Sequence, residues 1–180
     1  MDTRILPAAP QPTQRLAAAP GVRAFLAVAA LGAGLIHAAL APSAPPLLLG
    51  LLALIATAEL AWAVATLIRD RPPFFEAVPV SALAPLVLWA VLTVAGATAT
   101  TGSAIVLPLI PMGAASLLDL AIAVWAAVLV RRRKPVRQQA GASRYVLALI
   151  LSACAVSLVT IPALGLTQAG IVAVTLHQHH

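Results

Sequence analysis

The chain has 180 residues, of which 62% are hydrophobic and only 9% charged, with a mean hydropathy of +1.02. A soluble domain keeps about a quarter of its residues charged, so there is too little polar surface here to cover a water-exposed globule. The net charge of +6 would suggest nucleic acid in a soluble protein, but the distribution of the charges argues against that partner. All eleven Lys and Arg fall in three stretches bordering long apolar runs: Arg4, Arg15 and Arg23; Arg69 and Arg71; and Arg131, Arg132, Arg133, Lys134, Arg137 and Arg144. Short positive loops resist translocation, so these stretches mark the cytoplasmic side and the lipid bilayer is the expected solvent.

Residues 1–21 hold Pro7, Pro10, Pro12 and Pro20 without an apolar period and read as a disordered cytoplasmic tail. The pattern then predicts an all-α integral membrane bundle of five transmembrane helices over 22–166, N-terminus cytoplasmic and C-terminus extracytoplasmic. The first predicted helix spans 22–41 and ends at Pro42, Pro45 and Pro46. Ala39-Leu40-Ala41 has the look of a signal-peptidase site. The long apolar stretch and the following Pro42 argue instead for a retained span. The second helix covers 47–68 and stops at "RDRPP". The third covers 78–97, with Pro85 as a tolerated kink. The fourth covers 105–130, with Pro108 and Pro111 in its first turns, and the fifth 145–166, with Pro162 near its outer end. Residues 167–180 form an extracytoplasmic tail ending His177-Gln178-His179-His180.

Two carboxylates, Glu59 and Asp119, lie inside apolar helices, where an ionised group costs at least ~2.5–3.5 kcal/mol on insertion scales. Counting back from Arg69, Arg131 and Arg23 at ~1.5 Å per residue puts Glu59, Asp119 and His37 roughly 15, 18 and 21 Å above the basic level. The three can therefore form one layer. Their helical faces agree: Glu59 shares its side with Ala56, Ala63 and Thr66, Asp119 with Ala115, Ser116, Ala123 and Ala126, and His37 with Ala30, Ala33 and Gly34. Small residues permit close helix approach in lipid, so each ionisable group is expected to point inward. Either these groups form a proton or cation site, or they lock the bundle by hydrogen bonds.

His177, His179 and His180 supply imidazoles that suit copper or zinc on the outer side. A short tail cannot by itself fix coordination geometry, so incidental or auxiliary binding is the simpler expectation. Cys154, the only cysteine, reads as a small packing residue, and Trp62 and Trp125 as interface anchors. No HExxH, phosphate-binding glycine loop or nucleophile–base set is present, and no enzyme is expected.

The segments "GLIHAALAP", "LLGLLALIATAELAWAVATLI" and "SLLDLAIAV" and the terminal "TQAG…HQHH" together resemble a group of poorly characterised actinobacterial multi-pass membrane proteins. Heavy use of Ala, Pro, Arg and Val fits a high-GC genome. The resemblance implies that the terminal histidines belong to the protein and that the bacterial plasma membrane is its location. The expected function is an accessory or scaffold subunit of a membrane process, working with a membrane protein partner or as a homo-oligomer. The alternative is a small transporter-like or metal-handling protein using the intramembrane carboxylates and the outer histidines.

Overall fold

The computed structural model describes residues 20–69, 73–74, 76–98, 108–132 and 142–177. Among them there is helix and no strand. In chain order the helices are α1 (Pro20–Leu40), α2 (Pro46–Ile68), α3 (Val78–Ser81), α4 (Ala84–Thr98), α5 (Leu109–Arg132), α6 (Ala142–Gly165) and α7 (Gln168–His177), with a 3-10 turn at Ala41–Ser43 after α1. Four segments are long and apolar enough to cross a membrane: Pro20–Ser43, Pro46–Ile68, Leu109–Arg131 and Ala142–Gly165.

Helix α1 is the centre of the bundle and packs against α2, α5 and α6. Two glycines let it do so. A Cβ on Gly34 would stand 2.9 Å from Leu60 Cγ and 3.3 Å from the Ala56 carbonyl oxygen of α2. A Cβ on Gly32 would stand 2.6 Å from Val156 Cγ1 and 2.7 Å from Thr160 Oγ1 of α6. Backbones this close gain the dispersion contacts that hold helices together where lipid removes the hydrophobic driving force between them. The partner helices present matching stripes: Leu48, Leu52, Ala56, Ala63 and Thr66 are buried on α2, and Ser152, Val156, Thr160 and Ala163 on α6. Their opposite faces carry exposed Leu47, Leu54, Ile68, Ile150, Leu158 and Ile161, an apolar exterior suited to acyl chains.

Arg23, Arg69 and Tyr145, the neighbour of Arg144, gather at one end of the bundle. Arg23 Nη1 donates to the Arg69 carbonyl oxygen at 3.3 Å, satisfying a backbone group at the exit of α2. The same guanidinium lies 4.8 Å from the centre of the Tyr145 ring at the start of α6. Phe25 meets Trp125 of α5 edge-on, with ring centroids 6.5 Å apart. Helices α2 and α5 therefore both run toward the end at which α1 and α6 begin.

Several sequence expectations need revision. The third predicted span is not one helix. The chain breaks at Ala82–Leu83 into α3 and α4, because Pro85 has no N–H to donate and its ring crowds the carbonyl four residues back. At 15 residues α4 is about 22 Å long, short of a core of about 30 Å. The fifth predicted helix begins three residues earlier than expected, at Ala142. The last segment is not a loose tail over its whole length, since Gln168–His177 is helical. Thr167 caps that helix, its Oγ1 accepting from the Gly170 N–H at 3.1 Å, and Gly170 packs so close to the Leu164 carbonyl that a Cβ would collide with it. Cys154 lies exposed on the outward face of α6 rather than in the packing. The predicted disordered tail up to residue 19, the outer "TATTGS" loop from 99 onward, residues 105–107 of the fourth predicted helix and the inner-loop residues 133–141 lie outside the described residues.

Candidate functional site

Three helices contribute one ionisable side chain each, from the last turn of α1 and from the middle of α2 and α5. His37 ends the α1 face built from Ala30, Ala33 and Gly34, and the close approach at Gly34 brings it onto α2. Its Nδ1 lies 2.9 Å from Glu59 Oε2. Glu59 stands on the buried stripe of α2 between Ala56 and Ala63. Asp119 of α5 faces the same point from a stripe of buried Ala115, Ser116, Ala123 and Ala126. One ligand atom from each of His37, Glu59 and Asp119 lies within 4.8 Å of the others. His37 and Asp119 are 1% exposed and Glu59 15%.

Asp119 Oδ2 is buried without a hydrogen-bond partner. An oxygen left in that state carries its full desolvation cost, about 1–3 kcal/mol or more for a charged group. Glu59 and Asp119 line a cavity of about 350 Å³ whose wall is otherwise apolar except for Ser81, and includes Ala30, Ile55, Trp62 and Ile122. On its far side the cavity is bounded by Phe74, Ala77 and Val78 of the segment after α2, and by Ser81 and Pro85 at the α3–α4 break. His37 stands behind Glu59 and does not line the cavity.

Two cavity residues were assigned other tasks by sequence. Trp62, read as an interface anchor, donates from Nε1 to the Pro73 carbonyl at 2.9 Å and so holds the 73–78 turn over the cavity. Phe74, in that turn, has a left-handed backbone (φ 52°) that a non-glycine residue adopts at a cost of roughly 1–2 kcal/mol, and its ring is exposed. Pro85 was visible as a helix kink, but nothing in the sequence ties a break there to a cavity above Glu59.

The His177 backbone closes α7, while its side chain, His179 and His180 lie outside the described residues. Among the described residues, the fold and site define an all-helical protein with four membrane-capable helices, three of which contribute to a buried His–Glu–Asp cluster. No family model, curated protein or solved structure matches the chain.

Proposed function

We propose that this chain is a five-span protein of the bacterial plasma membrane, N-terminus inside and C-terminus outside, that handles a cation within the bilayer in a transporter-like manner. The observation that carries this reading is the meeting of His37, Glu59 and Asp119 from three helices beside a cavity. Intramembrane ionisable groups are expensive and mark ion or proton pathways. No Lys or Arg occurs in the sequence between Arg23 and Arg69 or between Arg71 and Arg131, so on α1, α2, α4 and most of α5 His37 is the one basic side chain at the depth of the two carboxylates.

The fifth span is supported by chain direction. Helices α2 and α5 both end at the basic end of the bundle, which favours a crossing between them to the other end, with α3 and α4 as the described helices on that path. The arginines at that end favour the cytoplasm.

The scaffold reading draws on one observation, the His37–Glu59 contact, which would also serve as a lock between α1 and α2. Thermal unfolding in detergent across pH and added cations separates the two readings. A cation site gives a midpoint that shifts with protons or a cation in the wild type and no longer does so in Glu59→Gln or Asp119→Asn. A lock gives three proteins that behave alike, and an accessory subunit becomes the better account.

A further inference from the structure

Three features of the cluster go beyond a site for any cation. The donor set is one imidazole nitrogen and two carboxylates, without a thiolate, since the only cysteine is exposed on the outward face of α6. Imidazole suits zinc, nickel, iron and Cu(II) rather than calcium or magnesium, and the lack of sulfur disfavours Cu(I). The formal charge of the set with a neutral imidazole is −2, which a single divalent ion cancels. In a bilayer that match matters, because uncompensated charge is what burial penalises most.

Distances fit as well. Zinc bonds of about 2.0–2.1 Å place tetrahedral ligands about 3.3 Å apart. The His37 Nδ1–Glu59 Oε2 separation of 2.9 Å and the limit of 4.8 Å for all three atoms bracket that value, so side-chain rotation alone can close the set. Asp119 Oδ2 is buried without a hydrogen-bond partner and has a lone pair free for a ligand bond. The cavity beside Glu59 and Asp119 leaves room for a fourth ligand, water or cargo counter-ligand, and extends toward Phe74 and Ala77, which follow the basic end of α2.

We propose that His37, Glu59 and Asp119 are the protein ligands of a divalent transition-metal ion of the zinc class, with the fourth coordination position facing the cavity. This rests on the cation-handling reading above and names its cargo. Three protein ligands and one open position make an exchangeable site rather than a closed structural one.

The test uses the full chain in detergent with His177→Ala, His179→Ala and His180→Ala, so that the terminal imidazoles contribute nothing. Titration with Zn²⁺ by calorimetry is expected to show one equivalent bound, and Co²⁺ to give the intense visible absorption of a four-coordinate ion, displaced by Zn²⁺. Asp119→Asn leaves the His37–Glu59 contact untouched and should keep the helical circular dichroism and elution volume. It should nevertheless weaken Zn²⁺ binding at least about 100-fold, because even outer-shell changes cost about 10–100-fold. Glu59→Gln should do the same. Zn²⁺ binding that survives both amides overturns the assignment, as does a folded protein that binds neither metal. If Zn²⁺ and Co²⁺ fail while protons or Na⁺ still shift the wild-type midpoint and not that of the amides, the metal is wrong and the cation-handling reading stands. If nothing shifts the midpoint, both fall.

Discussion

His37 Nδ1 and Glu59 Oε2 sit 2.9 Å apart, joining α1 to α2 at the level where Gly34 has already drawn the two backbones together. The contact depends on that approach. At Gly34 an added Cβ meets both Leu60 and the Ala56 carbonyl, and a carbonyl cannot move aside. Gly34→Ala is therefore expected to lower stability by about 1–3 kcal/mol, the usual cost of overpacking. Gly32→Ala should cost a similar amount against Val156 and Thr160. Gly50→Ala meets open space and should be neutral or slightly stabilising, since alanine is the better helix former. Thermal unfolding in one detergent compares all three. Equal midpoints for Gly34→Ala and Gly50→Ala would show that the α1–α2 approach is looser than described.

Membrane topology can be read with fusions. If residues 69–108 cross the bilayer, alkaline phosphatase joined after Thr101 is active and the same enzyme joined after Gln138 is inactive. Activity at Gln138 would reverse the orientation. Inactivity at both positions would put Thr101 on the inner side and overturn the five-span reading.

Much of the site's placement was legible because membrane depth is a one-dimensional quantity. The arginines mark a level, and counting from Arg69, Arg131 and Arg23 sets Glu59, Asp119 and His37 near one height. Small-residue stripes then orient each side chain. What the sequence could not convey is non-local. The break at Ala82–Leu83 follows from Pro85, yet whether a proline kinks a helix or ends it depends on what packs around it. The cavity is closed by residues of α1, α2, the 74–85 segment and α5 together, a relation between elements that no single stretch of sequence displays. Helix α7 is not legible in the sequence because Gln168–His177 is apolar apart from Gln168, Thr175 and His177 and shows no helical period, and its start depends on the Thr167 cap. Arg23 read as a topology signal; its contact with the Arg69 carbonyl is a second use of the same charge.

That second use has a measurable consequence. Arg23 over the Tyr145 ring should contribute about 0.5–1 kcal/mol as a cation–π pair. Tyr145→Phe keeps the ring and should change little. Tyr145→Leu removes it and should cost about as much as the coupling energy obtained from a double-mutant cycle with Arg23→Gln. A cycle that sums to zero would show that the Tyr145 ring contributes no cation–π energy.

The terminal histidines make a separate claim on metal. Three imidazoles within four residues should bind Cu(II) with micromolar or weaker affinity, and the His177→Ala, His179→Ala, His180→Ala variant should lose that binding with the bundle still folded. Calorimetry showing equal Cu(II) binding before and after would remove the tail from any metal role and direct attention to the buried cluster.

The sharpest distinction between function and structure lies in Asp119. A carboxyl with one buried, unpartnered oxygen is a poor way to stabilise a helix bundle, because removing a polar group with unmet hydrogen-bonding capacity returns its desolvation cost. Leucine has the reach to contact Ile122 and the cavity wall, and the cavity gives it room. Asp119→Leu is accordingly expected to raise stability by about 1–3 kcal/mol while abolishing any cation-dependent shift of the midpoint. His37→Ala should behave oppositely. It removes a buried ring, leaves a void between α1 and α2, and strips Glu59 of its partner, so the midpoint should fall. A protein that becomes more stable as it loses its cation response has kept Asp119 for chemistry. If Asp119→Leu instead destabilises as much as His37→Ala, the carboxyl holds helices together and the cluster is a lock.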